Sequence, residues 1–139
     1  MDSTDCIFCK IINGELPSNK VYEDSKVLAF LNIKALHPGH TLLITKKHYE
    51  NIYEVPDDTV AHLGIITKKI SIALKGAVDA DGINIGMNNG PAAGQIVFHT
   101  HIHIMPRYNN DGLISWPMKD LPNNEAKPIA EKIRNEFKK

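Results

Sequence analysis

Residues Phe98–Arg107 read FHTHIHIMPR, with histidines at 99, 101 and 103 and Thr100, Ile102 and Ile104 between them. Side chains two apart on a β-strand share a face. The alternation therefore predicts a strand that sets three imidazoles in a row on one accessible surface, with Thr100, Ile102 and Ile104 turned toward a core. The strand is expected to begin near Ile96 and to close at Pro106, since proline cannot donate to a ladder. One or two histidines on an exposed sheet face would need no explanation. Three in register, out of seven in the chain, call for a chemical one.

Two chemistries suit such a row. It can be a three-histidine metal site, since imidazole is a common ligand. It can instead handle an anion, one ring attacking while the others transfer protons or hold charge. The preceding stretch NNGPAAGQ, residues 88–95, favours the second. Gly90 and Gly94 let backbone approach a ligand, and consecutive amides can form an anion nest. Asn88, Asn89 and Gln95 add neutral hydrogen bonds, and no carboxylate is present for a metal cage.

Outward from this centre, the chain reads as alternating short strands and turns with one long helix. KVYED and KVLAFLN form a hairpin around Asp24–Ser25, HPGH is a turn, and TLLIT is a buried strand. Pro56 and the Asp57–Asp58 pair start a helix that runs to about Val78, with Val60, Leu63, Ile66, Ile70, Leu74 and Val78 at helical spacing. INIGMN alternates like another strand. A short helix over Cys6–Asn13, capped by Asp5 and stopped by Gly14, precedes the sheet. A polar helix from Asn123 to Lys139 carries Ile129, Ile133 and Phe137 on one stripe. The fold expected is α+β, a mostly antiparallel sheet in a single domain over residues 1–139 with a polar helical tail.

The chain has 139 residues, with 16 basic and 16 acidic side chains. That balance gives no global positive field, so neither a nucleic acid polymer nor an acidic membrane surface is an expected partner. The start MDSTDCIFCK shows no basic-then-apolar signal, and no apolar run would span a bilayer, so a cytoplasmic location is expected. Cys6 and Cys9, spaced C-x-x-C, are then reduced thiols. They can be metal ligands, small buried hydrophobes or a redox pair. The last fits least, because the motif lies outside a βαβ unit.

HTHIHIM resembles the His-φ-His-φ-His-φ-φ signature of the histidine triad (HIT) family of nucleotide hydrolases and transferases, with Thr100 in an apolar slot. FLNIKALHPGHTLLITKKH (30–48), NNGPAAGQIVFHTHIHIMPR (88–107) and CIFCKII (6–12) are similar to the family's other segments, in order and spacing. The resemblance, to the C-x-x-C zinc-binding branch near the purine nucleoside phosphoramidases, implies a sheet of about five strands that continues across a homodimer. It implies His101 as the nucleophile on an α-phosphorus, His103 as its phosphate-contacting partner, and His99 as a supporting ring able to help the leaving group. His40 is implied as a fourth histidine backing the nucleophile. Asn32 takes the ribose-binding place, Phe30 and Ile33 wall the base, and Asn88, Gly94 and Gln95 edge the phosphate.

The same resemblance implies structural zinc on Cys6, Cys9, His48 and His99. The expected substrate is a purine nucleotide conjugate such as a nucleoside phosphoramidate, cleaved through a nucleotidyl-histidine. The alternatives are a dinucleoside polyphosphate hydrolase or a nucleotide-binding interaction protein with little catalysis. A neutral nucleophile and a protonated partner can coexist near the ordinary imidazole pKa of ~6.5, and cations with amides can stabilise the phosphoryl charge without magnesium. Ile96 stands where many phosphoramidases carry Ser or Thr. His37 is read as a turn residue near the mouth of the site, His62 as a surface residue, and Trp116 as a packed one.

Overall fold

A computed structural model describes residues 3–114 and 116–139. Its elements in chain order are α1 (Ile7–Ile12), β1 (Lys20–Glu23), β2 (Val27–Leu31), β3 (Thr41–Thr45), α2 (Asp57–Ala77), β4 (Gly82–Gly86), β5 (His101–Arg107) and α3 (Asn123–Glu136). The five strands form one sheet in the order β1-β2-β3-β5-β4, every neighbouring pair antiparallel.

The β1–β2 hairpin is set by Asp24, whose Oδ1 accepts from the Lys26 and Val27 amides. In β3, TLLIT is buried at every position because helices cover the sheet on both sides. On one side, the α2 stripe Leu63, Ile66, Ile70 and Leu74 packs on Val27, Ala29, Leu43, Ile102 and Ile104. Each such side chain removed from water contributes about 1.5–3 kcal/mol. On the other side, Phe8 and Ile11 of α1 pack on Leu28, Phe30, Leu42 and Ile44. His101 lies opposite Ile44 and His103 opposite Leu42, so both rings fall on the α1 side.

Four expectations change. Cys6, not Asp5, caps α1: its sulfur accepts the Cys9 amide, and Asp5 belongs to a 3-10 turn before it. The histidine strand begins only at His101, because the Thr100 amide and hydroxyl both donate to the Tyr49 carbonyl instead of joining the ladder. The strand then passes through Pro106. The Arg107 carbonyl accepts from Asp81, so Pro106 turns its nitrogen to the β3 side, where pairing has already ended at Ile104. Trp116, expected to pack, is 79 % exposed. No helix among the described residues is long and apolar enough to cross a membrane.

Candidate active site

The turn His37–His40 delivers the first of four clustered histidines. Gly39 sits at φ +104°, and a Cβ there would meet Leu74 Cδ1 at 3.0 Å, so the turn against α2 requires glycine. His37 Nε2–H donates to Asp111 Oδ2 at 3.1 Å, and the ring stands edge-on to Tyr108. That tie holds the turn to the loop after β5. The Arg107 guanidinium, then the neighbouring amides and His37, keep the Asp111 carboxyl well below the usual carboxylate range against the effect of burial.

Hydrogen bonds around the rings assign their protons. The Leu36 amide donates to His40 Nδ1 at 3.0 Å, so a neutral His40 carries its hydrogen on Nε2. His40 Nε2–H donates in turn to His103 Nδ1 at 2.9 Å, which leaves a neutral His103 with an N–H at Nε2. His101 Nδ1–H donates to the His99 carbonyl at 2.7 Å, which leaves Nε2 with a bare lone pair. The middle ring of the row thus offers a nucleophilic nitrogen, and its neighbour His103 offers a donor.

The row is not the accessible surface expected from alternation. His99 is fully buried and His101 is 7 % exposed, because α1 lies over them. Burial lowers the pKa of His40 and His101. Burial first, then the like charges of His101 and His40, lowers His103 to about 4. Burial thus disfavours the charged form of each ring, and a neutral His103 contributes an N–H donor. His40 also differs in place: it hydrogen-bonds His103, and the group behind His101 is the His99 carbonyl.

His99 has no nitrogen free for a leaving group. Its Nε2–H donates to the Thr45 carbonyl at 2.6 Å, and its Nδ1 lies 3.3 Å from Cys6 Sγ and 3.6 Å from Cys9 Sγ. His48 Nδ1 is 3.4 Å from Cys9 Sγ, and one ligand atom from each of the four residues falls within 4.8 Å of the others. Two observations fit a metal ion here. His48 turns Nδ1 to Cys9 Sγ and stands edge-on to the His99 ring at 4.9 Å, so two imidazoles and two sulfurs converge. Burial, then the adjacent Cys6 sulfur, pushes the Cys9 thiol up to about 11, and a cation at the centre would let both sulfurs ionise. Two sulfurs and two imidazoles make a closed tetrahedral donor set of the structural kind.

Beside the histidines lies a cavity of about 340 Å³, lined by Ile7, Phe8, Ile11, Pro17, Ser18, Asn19, Phe30, Leu31, Asn32, Ile33 and Leu42. Phe30, Asn32 and Ile33, expected at the base and ribose, all line it. Asn32 Oδ1 accepts from the Lys34 backbone amide, and the Asn32 backbone amide donates to the His40 carbonyl. Phe8, which carries no polar signal, was not legible as a site residue. Its ring stands edge-on to His101 at 5.1 Å and to Phe30 at 5.7 Å. Its place inside C-x-x-C, beside His101's neighbour His99, was the only available hint.

The loop before the row is knotted on itself. Gln95 is buried; its Oε1 accepts from Gly90, and its amide group donates to the Glu50 and Val97 carbonyls. The amides of Ala93, Gly94 and Gln95 donate to loop carbonyls, so the nest expected from them is already filled. Asn88 Nδ2 reaches the Gly94 carbonyl only at 3.5 Å, and Asn89 Oδ1 accepts from Ile52. Asn88 is thus the loop side chain least committed, and Gln95 shapes the loop from within. Ile96 points outward, 85 % exposed. His62 lies apart from the site and hydrogen-bonds Asp24 at 2.7 Å.

The HIT domain family model matches residues 13–110. The chain is 35 % identical over 140 residues to adenosine 5'-monophosphoramidase HNT1 of Candida albicans, covering 96 % of this chain and 92 % of that one. A crystal structure of a HIT family member from Bacillus subtilis superposes with a TM-score of 0.86 at 44 % identity, over 94 % of this chain and 96 % of that one. A zinc-bound histidine triad family protein from Mycobacterium smegmatis gives 0.77 at 39 %, over 86 % of each chain.

Proposed function

The chain belongs to the HIT domain family, and we propose that it is a nucleotide hydrolase that cleaves purine nucleoside phosphoramidates or related conjugates through a nucleotidyl-His101. The observation that carries this is the proton pattern: a bare Nε2 on His101 beside an Nε2–H on His103, at the edge of an apolar cavity of base size. The C. albicans relative's name supports the substrate class.

In the first step the His101 Nε2 lone pair forms a bond to the α-phosphorus, and the phosphorus–nitrogen bond of the phosphoramidate breaks. The departing nitrogen takes a proton from solvent and leaves as the amine. The phosphorylated ring keeps its Nδ1–H on the His99 carbonyl, which stabilises the positive charge the ring acquires. His103 Nε2–H donates to a phosphoryl oxygen. In the second step water adds to phosphorus, the pair returns to His101 Nε2, and the surplus proton goes back to solvent. Purine and ribose occupy the cavity walled by Phe8, Phe30 and Ile33, with Asn32 at the ribose and Asn88 at the phosphate edge.

Zinc suits the Cys6, Cys9, His48 and His99 donors, and the zinc-bound M. smegmatis relative supports that metal. When bound it supplies a structural crosslink between α1, the end of β3 and the start of the histidine row. The proposed homodimer would use β4, an edge strand whose Ile85 is exposed.

His101→Ala tests the assignment. Hydrolysis of adenosine 5'-phosphoramidate should fall by ~10³-fold or more, while AMP still binds. Equal turnover in that variant rejects the nucleophile. Turnover of diadenosine polyphosphate measured beside the phosphoramidate ranks the two substrate classes.

A further inference from the structure

The helix α1 has two jobs on its two sides. One side supplies Cys6 and Cys9 to the four-residue metal cluster. The other supplies Ile7, Phe8 and Ile11 to the nucleotide cavity. The element is six residues long, far too short to hold its shape without outside anchors. The sulfur-to-imidazole approaches of 3.3–3.6 Å that tie it to His48 and His99 are weak on their own.

A second path runs through the backbone. His99 has its ring in the cluster and its carbonyl on His101 Nδ1–H at 2.7 Å. Phe8 also stands edge-on to both rings, 5.8 Å from His99 and 5.1 Å from His101. The nucleophilic ring is thus held from below by a residue of the cluster and from the side by a residue lying between its two cysteines.

We propose that Cys6 and Cys9 are positioning residues for the transfer step: the metal they hold with His48 and His99 fixes the His99 carbonyl and Phe8, and so fixes the orientation and tautomer of His101 and one wall of the base site. This rests on His101 being the nucleophile. The metal is then more than a crosslink against unfolding. Losing it from a folded chain turns the nucleophile away and loosens the nucleotide together.

The test compares the full-length protein loaded with one equivalent of zinc or cobalt(II) and the same protein stripped by chelation, with circular dichroism confirming that the sheet persists. AMP affinity by calorimetry, the ¹⁵N shifts of the His101 ring and the single-turnover rate of nucleotidyl-histidine formation are read in both. Stripping should weaken AMP binding about tenfold, slow transfer by about ten- to a hundredfold and convert His101 from one tautomer to a mixture. Unchanged AMP affinity and unchanged ring shifts in the folded, stripped protein overturn the proposal. Should stripping unfold the chain, His48→Asn decides, since it weakens the cluster while leaving Phe8, His99 and His101 in place. Weakened cobalt affinity with an altered His101 ring and slower transfer supports the coupling, and weakened affinity with an unaltered ring refutes it. Absence of nucleotidyl-histidine in the loaded wild type would instead defeat the nucleophile assignment, while the ring shifts would still judge the coupling.

Discussion

Replacing His40 by alanine removes the N–H that His103 Nδ1 accepts at 2.9 Å and the ring nitrogen to which Leu36 donates at 3.0 Å. His40 is 6 % exposed, but Leu36 is 40 % exposed and can turn its amide to water. Leaving His103 Nδ1 without its donor costs about 1–3 kcal/mol. At roughly 2–4 °C per kcal/mol for a chain approaching 150 residues, the melting temperature should fall by about 2–12 °C. The catalytic effect is smaller than that of losing His103. Without its donor, His103 is free to move its hydrogen to Nδ1. A neutral bond of about 1 kcal/mol no longer enforces the Nε2–H form, so single-turnover transfer should slow about fivefold. His103→Phe deletes the phosphoryl donor outright, which by comparison with other oxyanion donors costs ~10²–10³-fold. His40→Gln should recover most of the rate, because its oxygen can accept from Leu36 while its amide donates to His103. The assay is rapid-quench formation of nucleotidyl-enzyme from adenosine 5'-phosphoramidate at pH 7, with thermal melts of each variant. A His40→Ala enzyme as impaired as His103→Phe, or a His40→Gln enzyme no better than alanine, would refute the proton chain Leu36–His40–His103.

Three further outcomes are expected. His103 has a folded pKa lowered to about 4 from an unfolded value near ~6.5, by burial first. Its contribution to stability is therefore complete above pH ~6.5 and is lost as pH falls toward 4, where the unfolded chain binds more protons. Melts from pH 8 to pH 4 should be flat and then fall, with a shallower fall in His103→Phe; a fall of the same depth in that variant contradicts the assignment. Gly90 sits at φ +93°, ψ 156° with open space around the missing Cβ. Gly90→Ala should thus carry backbone strain alone and cost about 1–3 kcal/mol in denaturant melts; unchanged stability would show that the loop does not depend on the positive φ at Gly90. Ile104→Ala, at a fully buried position on the α2 side, should cost about 2–5 kcal/mol in denaturant melts while leaving the AMP affinity of the folded protein within about twofold.

Much of the fold was legible because it rests on periodicity. Leu63, Ile66, Ile70 and Leu74 repeat at the helical interval and bury one stripe, and α2 spans Asp57–Ala77 close to the expected limits. Ile102 and Ile104 alternate with His101 and His103, and the sheet keeps the two sets on opposite faces. The elements that departed from expectation have non-local causes. Thr100 leaves the ladder for the Tyr49 carbonyl, Pro106 is tolerated because β3 has ended beside it, and Cys6 caps α1 with a sulfur that faces His99.

The sequence by itself determined which residue types share a face and where they fall: the imidazole row, the paired cysteines, the turn ending in His40 and the glycine-bearing loop. Local spacing suffices for that, because side-chain direction on a strand or helix follows from backbone geometry. Only the tertiary structure decided which nitrogen of each ring is bare, that His40 serves His103, that Gln95 and the loop amides are already spent, and that Phe8 leans on His101. Those outcomes depend on hydrogen bonds and ring contacts between residues 63 and 93 positions apart, such as His40 with His103 and Cys6 with His99. Whether such distant groups meet is fixed by sheet order and helix packing, which no short stretch of sequence encodes.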